Sequence, residues 1–383
     1  MKMRPWKKRT LAAVVFLLCL YALWFSYTLI RHRAPRESPA QRPSPYFEVQ
    51  GAYHIHTTHS DGRSPLRKIA AAASRQHLDF IILTDHGMPN RPSLAEQGWK
   101  ENVLVLAGSE LSVSRGHMVA LDFAKPEGTF AQDAELAARQ VAAAGGFSII
   151  AHPFSKTRWS WGGTGDPGGI EIVDSDSMIK KNFLSALPYL PALLFNPRLF
   201  LLKTLERPVQ TLRKWDELSA ARNVYGYFST DAHLAYGALF SCFRLHVLLG
   251  EPLAKTFAEA KSQVFSALRR GRFYCAVDAA RPAGGFLFWA EGGETRFPMG
   301  SAVSFTATPR LRLRAEADFP HGLEIRLLRN GEPVLRSEDR EISFAPEEPG
   351  AYRIEIYLRG RTPLAGDFPW IISNPIFWRE DEP

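Results

Sequence analysis

Between Tyr53 and Gly62 the chain reads YHIHTTHSDG, which sets His54, His56 and Asp61 in one short stretch. Four later stretches carry the same residue types: TDH ending at His86, GSELSVSRGH with Glu110 and His117, AHP with His152, and TDAH with Asp231 and His233. Together they hold six imidazoles and three carboxylates, all able to ligate a transition metal. One four-coordinate site cannot use so many donors, so a centre of two or three ions is expected. The donors are nitrogen and oxygen without thiolate, which suits Mn, Zn or Fe rather than Ca or an iron–sulfur cluster. Adjacent ions of that kind acidify a shared water to hydroxide near neutral pH and clamp phosphoryl oxygens, so the chemistry expected is hydrolysis of a phosphate ester.

A lone histidine at a strand end is more readily structural than a ligand. The set differs: six of eleven histidines fall in these motifs, with carboxylates beside or between them. His59 reads as a solvent or supporting neighbour, and His32, His77, His246 and His321 stand outside the pattern. Asp85 suits two roles equally, orienting His86 or capping a turn. Phosphate recognition also needs cations. Arg115, Lys156 and Arg158 are the candidates for substrate binding, and Trp159 and Trp161 read chiefly as pins of the Gly-rich loop that carries them.

Donors scattered over some 180 residues require a closed fold to gather them. From Gly51 onward, apolar runs end in polar or Gly residues: AYHIHT, DFIILTDHG, NVLVLAGSE, GFSIIAHP, GIEIVDS and VYGYFSTDAH. Amphipathic segments at 64–77, 131–146, 209–222 and 259–271 separate several of them. This alternation predicts a mostly parallel α/β fold. The donors fall at the C-terminal ends of the runs, the rim where parallel barrels build their sites. His54 and His56 are two apart on a strand and share a face.

In this order, HxHTxxSDG, TDHG, GxE…H, AHP and TDAH resemble the PHP (polymerase and histidinol phosphatase) family of metal-dependent phosphoesterases, over residues 49–280. The resemblance implies a distorted (β/α)7 barrel with two or three divalent transition metal ions in its mouth. It implies one ion on His54, His56, Glu110 and Asp231, a second on Glu110, His117 and His152, and a third on Asp61, His86 and His233. Glu110, Asp231 and His233 are then expected to serve catalysis as well as binding. Asp61, where some members carry His, resembles the branch acting on nucleotides and short oligonucleotides. A 5′–3′ exonuclease acting on short RNA or DNA is the alternative enzyme, and a non-catalytic, metal-stabilised sensor or adaptor is the alternative outside catalysis.

The formal charge of +8 does not signal a polynucleotide binder. Of 47 Lys and Arg, eight fall within the first 36 residues, leaving 39 against 39 Asp and Glu. A neutral body lacks that electrostatic footprint, and no stable nucleic-acid complex is expected. The basic residues instead flank an uncharged apolar run, Thr10 to Ile30, long enough to cross a bilayer core. RHR follows it, where a cleavable signal peptide would carry small residues. The expected order is a basic cytoplasmic N-terminus (1–9), a transmembrane helix in the lipid bilayer (10–30) and a Pro-rich linker (31–48). The barrel (49–280) follows, then a small antiparallel β-sandwich (281–383). The bias of basic residues places the body outside the cytoplasm, periplasmic or at the cell surface, on a single-pass anchor. Residues 183–205, rich in Leu and Phe and broken by Pro188, Pro191 and Pro197, read as an insertion. It either packs against the barrel or forms a lid or membrane-facing patch. Cys242 and Cys275 have a chance to pair if the body is exported.

Overall fold

A computed structural model of the protein describes residues 4–32, 44–124, 128–155, 161, 167–308, 310–317, 322–360, 364 and 367–380. Lys156, Arg158, Trp159 and most of the expected linker lie outside the described residues.

The apolar runs form strands because they can be buried on both faces. Phe80–Leu83, between two parallel neighbours, and Val103–Ala107 are buried at every position. Parallel pairing joins Phe47–Ile55 to Phe80–Leu83, and Phe80–Leu83 to Val103–Ala107. In a second sheet it joins Phe147–Ile150 to Gly169–Asp174, and Gly169–Asp174 to Tyr225–Ser229. The four amphipathic segments are helical over Leu66–Arg75, Ala134–Ala143, Val209–Ala221 and Phe257–Arg269. Asp133 caps one of them by accepting from Leu136 N at 2.9 Å.

The sheets are more mixed than the mostly parallel pattern expected: Gly116–Leu121 runs antiparallel to Ser109–Val113 and to Phe147–Ile150, and Phe243–Leu249 runs antiparallel to Phe47–Ile55 and to Phe273–Val277. Only Ser114 and Arg115 separate the first pair, too few residues for a parallel crossover. Backbone bonds tie the two sheets together beside the donors. Thr230 N donates to Tyr53 O at 3.0 Å, Ala232 N to His54 O at 3.1 Å and His56 N to Ala232 O at 3.0 Å. On the other side His86 bridges Glu110.

Beyond residue 281 the described strands are largely antiparallel. One sheet runs Thr295–Pro298, Phe286–Gly292, Arg312–Ala317, Glu341–Phe344. The others do not stand apart: Ile371–Ser373 pairs with Phe273–Val277, so the first sheet continues across the expected domain boundary. Polar contacts reinforce the junction. Arg353 makes two 2.9 Å bonds to Asp216 on helix Val209–Ala221 and also holds Glu355, which Arg207 grips from the opposite side at 2.8 and 3.0 Å. Cys242 and Cys275 are buried free thiols. Cys275 lies opposite Leu245, three residues along from Cys242, which separates them by roughly 10 Å at strand rise and is too far for a disulfide.

The apolar helix Pro5–Arg31 is long and hydrophobic enough to cross a membrane, by length and composition. Segment 183–205 forms short helices whose inner side chains, Ala186, Ala192 and Leu199 to Leu202, are buried.

Arg353 is almost fully buried between two carboxylates. Arg353→Leu therefore leaves Asp216 and Glu355 without their shared cation and is expected to destabilise the protein by roughly 3–5 kcal/mol. Denaturant unfolding of the two proteins checks this; a loss under about 1 kcal/mol would show that the junction is not held this way.

Candidate metal centre

Each donor sits at or just beyond a strand end, and the local backbone explains its aim. His54 (φ +64°), His152 (φ +24°) and Asp231 (φ +41°) adopt the left-handed region, which costs non-glycine residues free energy and persists only where the surroundings enforce it. At His54 the pairing with Phe80–Leu83 shifts register between Tyr53 and Ile55. Gly62 closes the loop after His56: a Cβ there would meet His56 O at 2.2 Å. Asp85 does not hold His86. It accepts from Thr57 N (2.7 Å), Thr57 Oγ1 (2.9 Å) and Ser60 Oγ (2.6 Å), and so binds the same loop.

All nine expected donors converge. Five imidazoles lie around the buried Glu110 carboxylate: His54 Nε2 and His56 Nε2 at 3.2 Å, His86 Nδ1 at 3.3 Å, His117 Nδ1 at 2.7 Å and His152 Nε2 at 2.9 Å. Asp231 Oδ1 stands 3.2 Å from His56 Nε2 and 3.4 Å from His54 Nε2, and Asp61 Oδ2 stands 3.2 Å from His233 Nε2. The donor atoms fall into overlapping groups: His56, Asp61, His86 and His233; His54, His152 and Asp231; His54, His56 and Glu110; His86, Glu110 and His117. The overlap leaves the division among ions open.

The donor chemistry fits bound cations. Among the described residues, His56 Nε2, His86 Nδ1 and His117 Nδ1 are buried without a hydrogen-bond partner. His117 Nδ1 is close to Glu110 yet out of hydrogen-bond alignment. Buried polar atoms are rarely left so, and a cation between nitrogen and carboxylate satisfies both. Two donors have their other nitrogen committed. His54 Nδ1 donates to Glu171 Oε1 at 2.6 Å, and His233 Nδ1 to Asp231 O at 3.0 Å. This frees Nε2 in each, the arrangement that metal-ligating histidines adopt.

Glu171 was not singled out from the sequence. It also accepts from His152 N at 2.7 Å and so sets two donors at once. Its signal was the alternation in GIEIVDS, where a carboxylate sits inside a buried strand. Asp174, at the end of that strand, caps helix Ser175–Ala186 and lines the cavity.

Electrostatics follow from the crowding. Burial opposes the charged form of His56, but Asp231 and Glu110 outweigh it and raise the group to about 9. His152 likewise reaches about 9 against burial, through Glu110 and Asp174. Glu110 is held well below the usual carboxylate range despite burial, by His54, His117 and His152. Burial and the neighbouring Asp231 push Asp174 up to about 7.

A cavity of about 990 Å³ opens over the centre, lined by Asp61, His86, Glu110, His117, His152, Asp231 and His233 on one side. Lys180, Lys181 and Arg207 line it opposite, paired with Asp176, Glu206 and Glu355. These cations, carried by the segment next to the insertion, were also missed. Arg115 is not among the lining residues. It sits at a hairpin tip and donates to Trp161 O at 3.3 Å. Trp161 is buried, and the residues on either side of it lie outside the described ones. His59 pairs with Glu96 at 3.1 Å and belongs to none of the donor groups. His246 is a second buried imidazole, clamped between Glu48 (2.6 Å) and Asp278 (3.0 Å) with a structural role.

No family model matches the chain, and no curated protein matches it. Among solved structures it is similar to a two-domain protein from Bacteroides vulgatus containing a predicted PHP-like metal-dependent phosphoesterase. That likeness has 15% identity and a TM-score of 0.43, over 90% of this chain and all of that one. It is also similar to a protein assigned as a metal-dependent phosphoesterase from Bifidobacterium adolescentis (13%, 0.33, 52% and 90%). An amidohydrolase from Chromobacterium violaceum, solved with bound sulfate, is a third (15%, 0.31, 48% and 87%). At these TM-scores the likenesses carry no argument about this chain, and the geometry above stands on its own.

Two outcomes are expected. Glu171→Ala should weaken metal binding about 10–100-fold, because His54 and His152 lose their common support; titration of chelated protein with Mn2+ or Zn2+ measures it, and unchanged affinity would remove Glu171 from the centre. Metal-free protein should lose thermal stability as pH rises. His56, His152 and the distant His246 each sit at about 9, above the ordinary 6.5. Their contribution is complete below about 6.5 and lost as pH passes through about 9. The depressed Glu110 contributes its full stabilisation across this interval and loses it only as pH falls into acid. Metal requires neutral imidazoles, so the gain in Tm from added ion should grow over the same interval. A chelated Tm that climbs between pH 6.5 and 9 would contradict this electrostatic picture.

Proposed function

We propose that this chain is a membrane-anchored, metal-dependent phosphoesterase with two or three Mn, Zn or Fe ions at the Glu110 cluster. One observation carries the reading: five imidazoles surround one buried carboxylate, and three of their buried nitrogens lack a hydrogen-bond partner. The two inter-sheet links beside the donors support a ring of PHP type, and the antiparallel strands past residue 281 support a sandwich built onto it. Pro5–Arg31 supports the anchor by length and composition, and the excess of Lys and Arg ahead of the apolar run supports a body outside the cytoplasm.

His54, His56, Glu110 and Asp231 would hold one ion, Glu110, His117 and His152 a second, and Asp61, His86 and His233 a third. When bound, adjacent ions supply an activated water and neutralise charge on the phosphoryl oxygens. The protein's own groups fix the geometry around that chemistry. Glu171 and the Asp231 carbonyl lock the ring orientation of His54 and His233. Asp174 caps helix Ser175–Ala186 and lines the cavity beside the donors. Lys180 and Lys181 face the centre across the cavity and suit the anionic ester.

Full-length protein purified without chelator should carry at least two transition ions per chain and hydrolyse p-nitrophenyl phosphate. Glu110→Gln keeps size but removes the shared charge, and turnover should fall on the order of a hundredfold or more, together with metal content. His59→Ala should change neither. Near-normal metal and rate in Glu110→Gln, beside loss of both in His59→Ala, would show that the centre has been misassigned.

A further inference from the structure

The apolar insertion is attached to the anchor helix. Tyr21 Oη donates to Pro188 O at 2.8 Å, and the Trp24 and Tyr189 rings lie 5.3 Å apart. Phe25 and Thr28 are buried while most of the helix is exposed. Tyr21, Trp24, Phe25 and Thr28 follow helical spacing and make one face. Tyr21 precedes the end of the uncharged run by nine residues, about 13 Å along a helix. If Thr10 to Ile30 spans a core of about 30 Å, Pro188 and Tyr189 lie well inside it.

The outer side of the insertion suits that depth. Residues 183–197 contain no charge, and Leu184 (78%), Leu194 (83%) and Phe195 (72%) are exposed beside the partly exposed Leu187, Leu190 and Leu193. Lys180, Lys181 and Arg198 flank the stretch. Helical backbone satisfies much of its own polarity, as an apolar medium requires. Apolar side chains bounded by basic residues are the pattern of a segment lying in a bilayer interface.

The insertion also borders the metal cavity. Helix Ser175–Ala186 supplies Asp176, Ser177, Met178, Lys180 and Lys181 to the cavity wall from its first two turns; its third turn lies outside the wall and carries the exposed Phe183 and Leu184. Its 12 residues span about 18 Å. Met178, Pro208 and Val209 make part of the wall apolar, and Val209 is itself exposed.

We infer that segment 183–197 is embedded in the same leaflet as the anchor, and that the site takes phosphate esters whose alcohol is a lipid of that leaflet. The inference rests on the anchored phosphoesterase reading and names its substrate class. Hydrolysis breaks the P–O bond to the lipid alcohol, forms a P–O bond to the oxygen of water, and leaves the proton of that water on the departing alcohol.

Full-length, Mn2+-loaded protein in phosphatidylcholine vesicles tests this, with phosphatidic acid or phosphatidylglycerol as the bilayer ester and p-nitrophenyl phosphate as the soluble one. The wild type should hydrolyse a bilayer ester at a rate that follows its mole fraction in the membrane at fixed bulk concentration. The triple variant Leu184→Ser, Leu194→Ser, Phe195→Ser should lose about tenfold or more on the bilayer ester and keep its rate on the soluble one. A wild-type rate that follows bulk concentration, or a triple variant equal to wild type on vesicles, overturns the inference. Hydrolysis of the soluble ester alone overturns the lipid class and leaves the phosphoesterase reading intact. Hydrolysis of neither ester overturns both.

Discussion

The donor segments are arranged around one buried negative charge. Glu110 is 1% exposed, and an isolated carboxylate there would shift its pKa upward and go neutral. It stays ionised because five imidazoles reach it, His117 from its own segment and the other four from three more. The imidazoles in turn need a lone-pair acceptor or a proton. The same carboxylate field that raises His56 and His152 would hold divalent cations more strongly, since each ion carries two charges and accepts several donors at once. Protons and metal therefore compete for one cage.

Gathering those groups explains the irregular backbone of the rim. Regular strands ending at one level would point alternate residues away from the centre. The left-handed turns at His54, His152 and Asp231, with the register shift at His54, re-aim the chain where strands meet. Local bonds hold these costly conformations in place. Glu171 binds His54 and His152, Asp85 and Gly62 shape the loop after His56, and reciprocal bonds between His54, His56 and Ala232 join the first strand to the last of the second sheet. Supporting groups outnumber the donors they position, so substitutions that touch no ion can still disperse the centre.

The nine donors could be read from the sequence because each sits in a short motif at the end of an apolar run, and imidazole and carboxylate have few other uses in such density. The strand and helix alternation was readable for the same reason, since burial on both faces leaves continuous apolar runs. What could not be read depended on contacts distant in sequence. Glu171 looked like one acidic residue in a strand; only the fold sets it under His54, 117 positions away. Lys180 and Lys181 looked like solvent charges, whereas Arg115, beside a donor in sequence, sits on a hairpin tip outside the cavity. The continuation of the first sheet across residue 281 was hidden too. Alternating strands announce a sheet, not which edge they join, and here the exposed edge of Phe273–Val277 is covered by Ile371–Ser373.

The two sides of the cavity answer to different constraints. The donor side is tied to strand ends and cannot change without losing Glu110's partners. The rest of the wall comes from residues 174–211, whose inner leucines are buried while the outer ones remain bare. Lys181 binds Glu206 across this segment, and Arg207 at its far end is anchored to Glu355 in the C-terminal half. The wall facing the metal centre is thus braced by the C-terminal strands behind it and by the apolar helix Pro5–Arg31 beside it. Under the proposed phosphoesterase reading, substrate choice falls to that wall, because the donors dictate only that a phosphoryl group be bound. On that reading, what accompanies the phosphate meets Met178, Pro208 and Val209, and the helix that carries Met178 presents the exposed Phe183 and Leu184 at its other end.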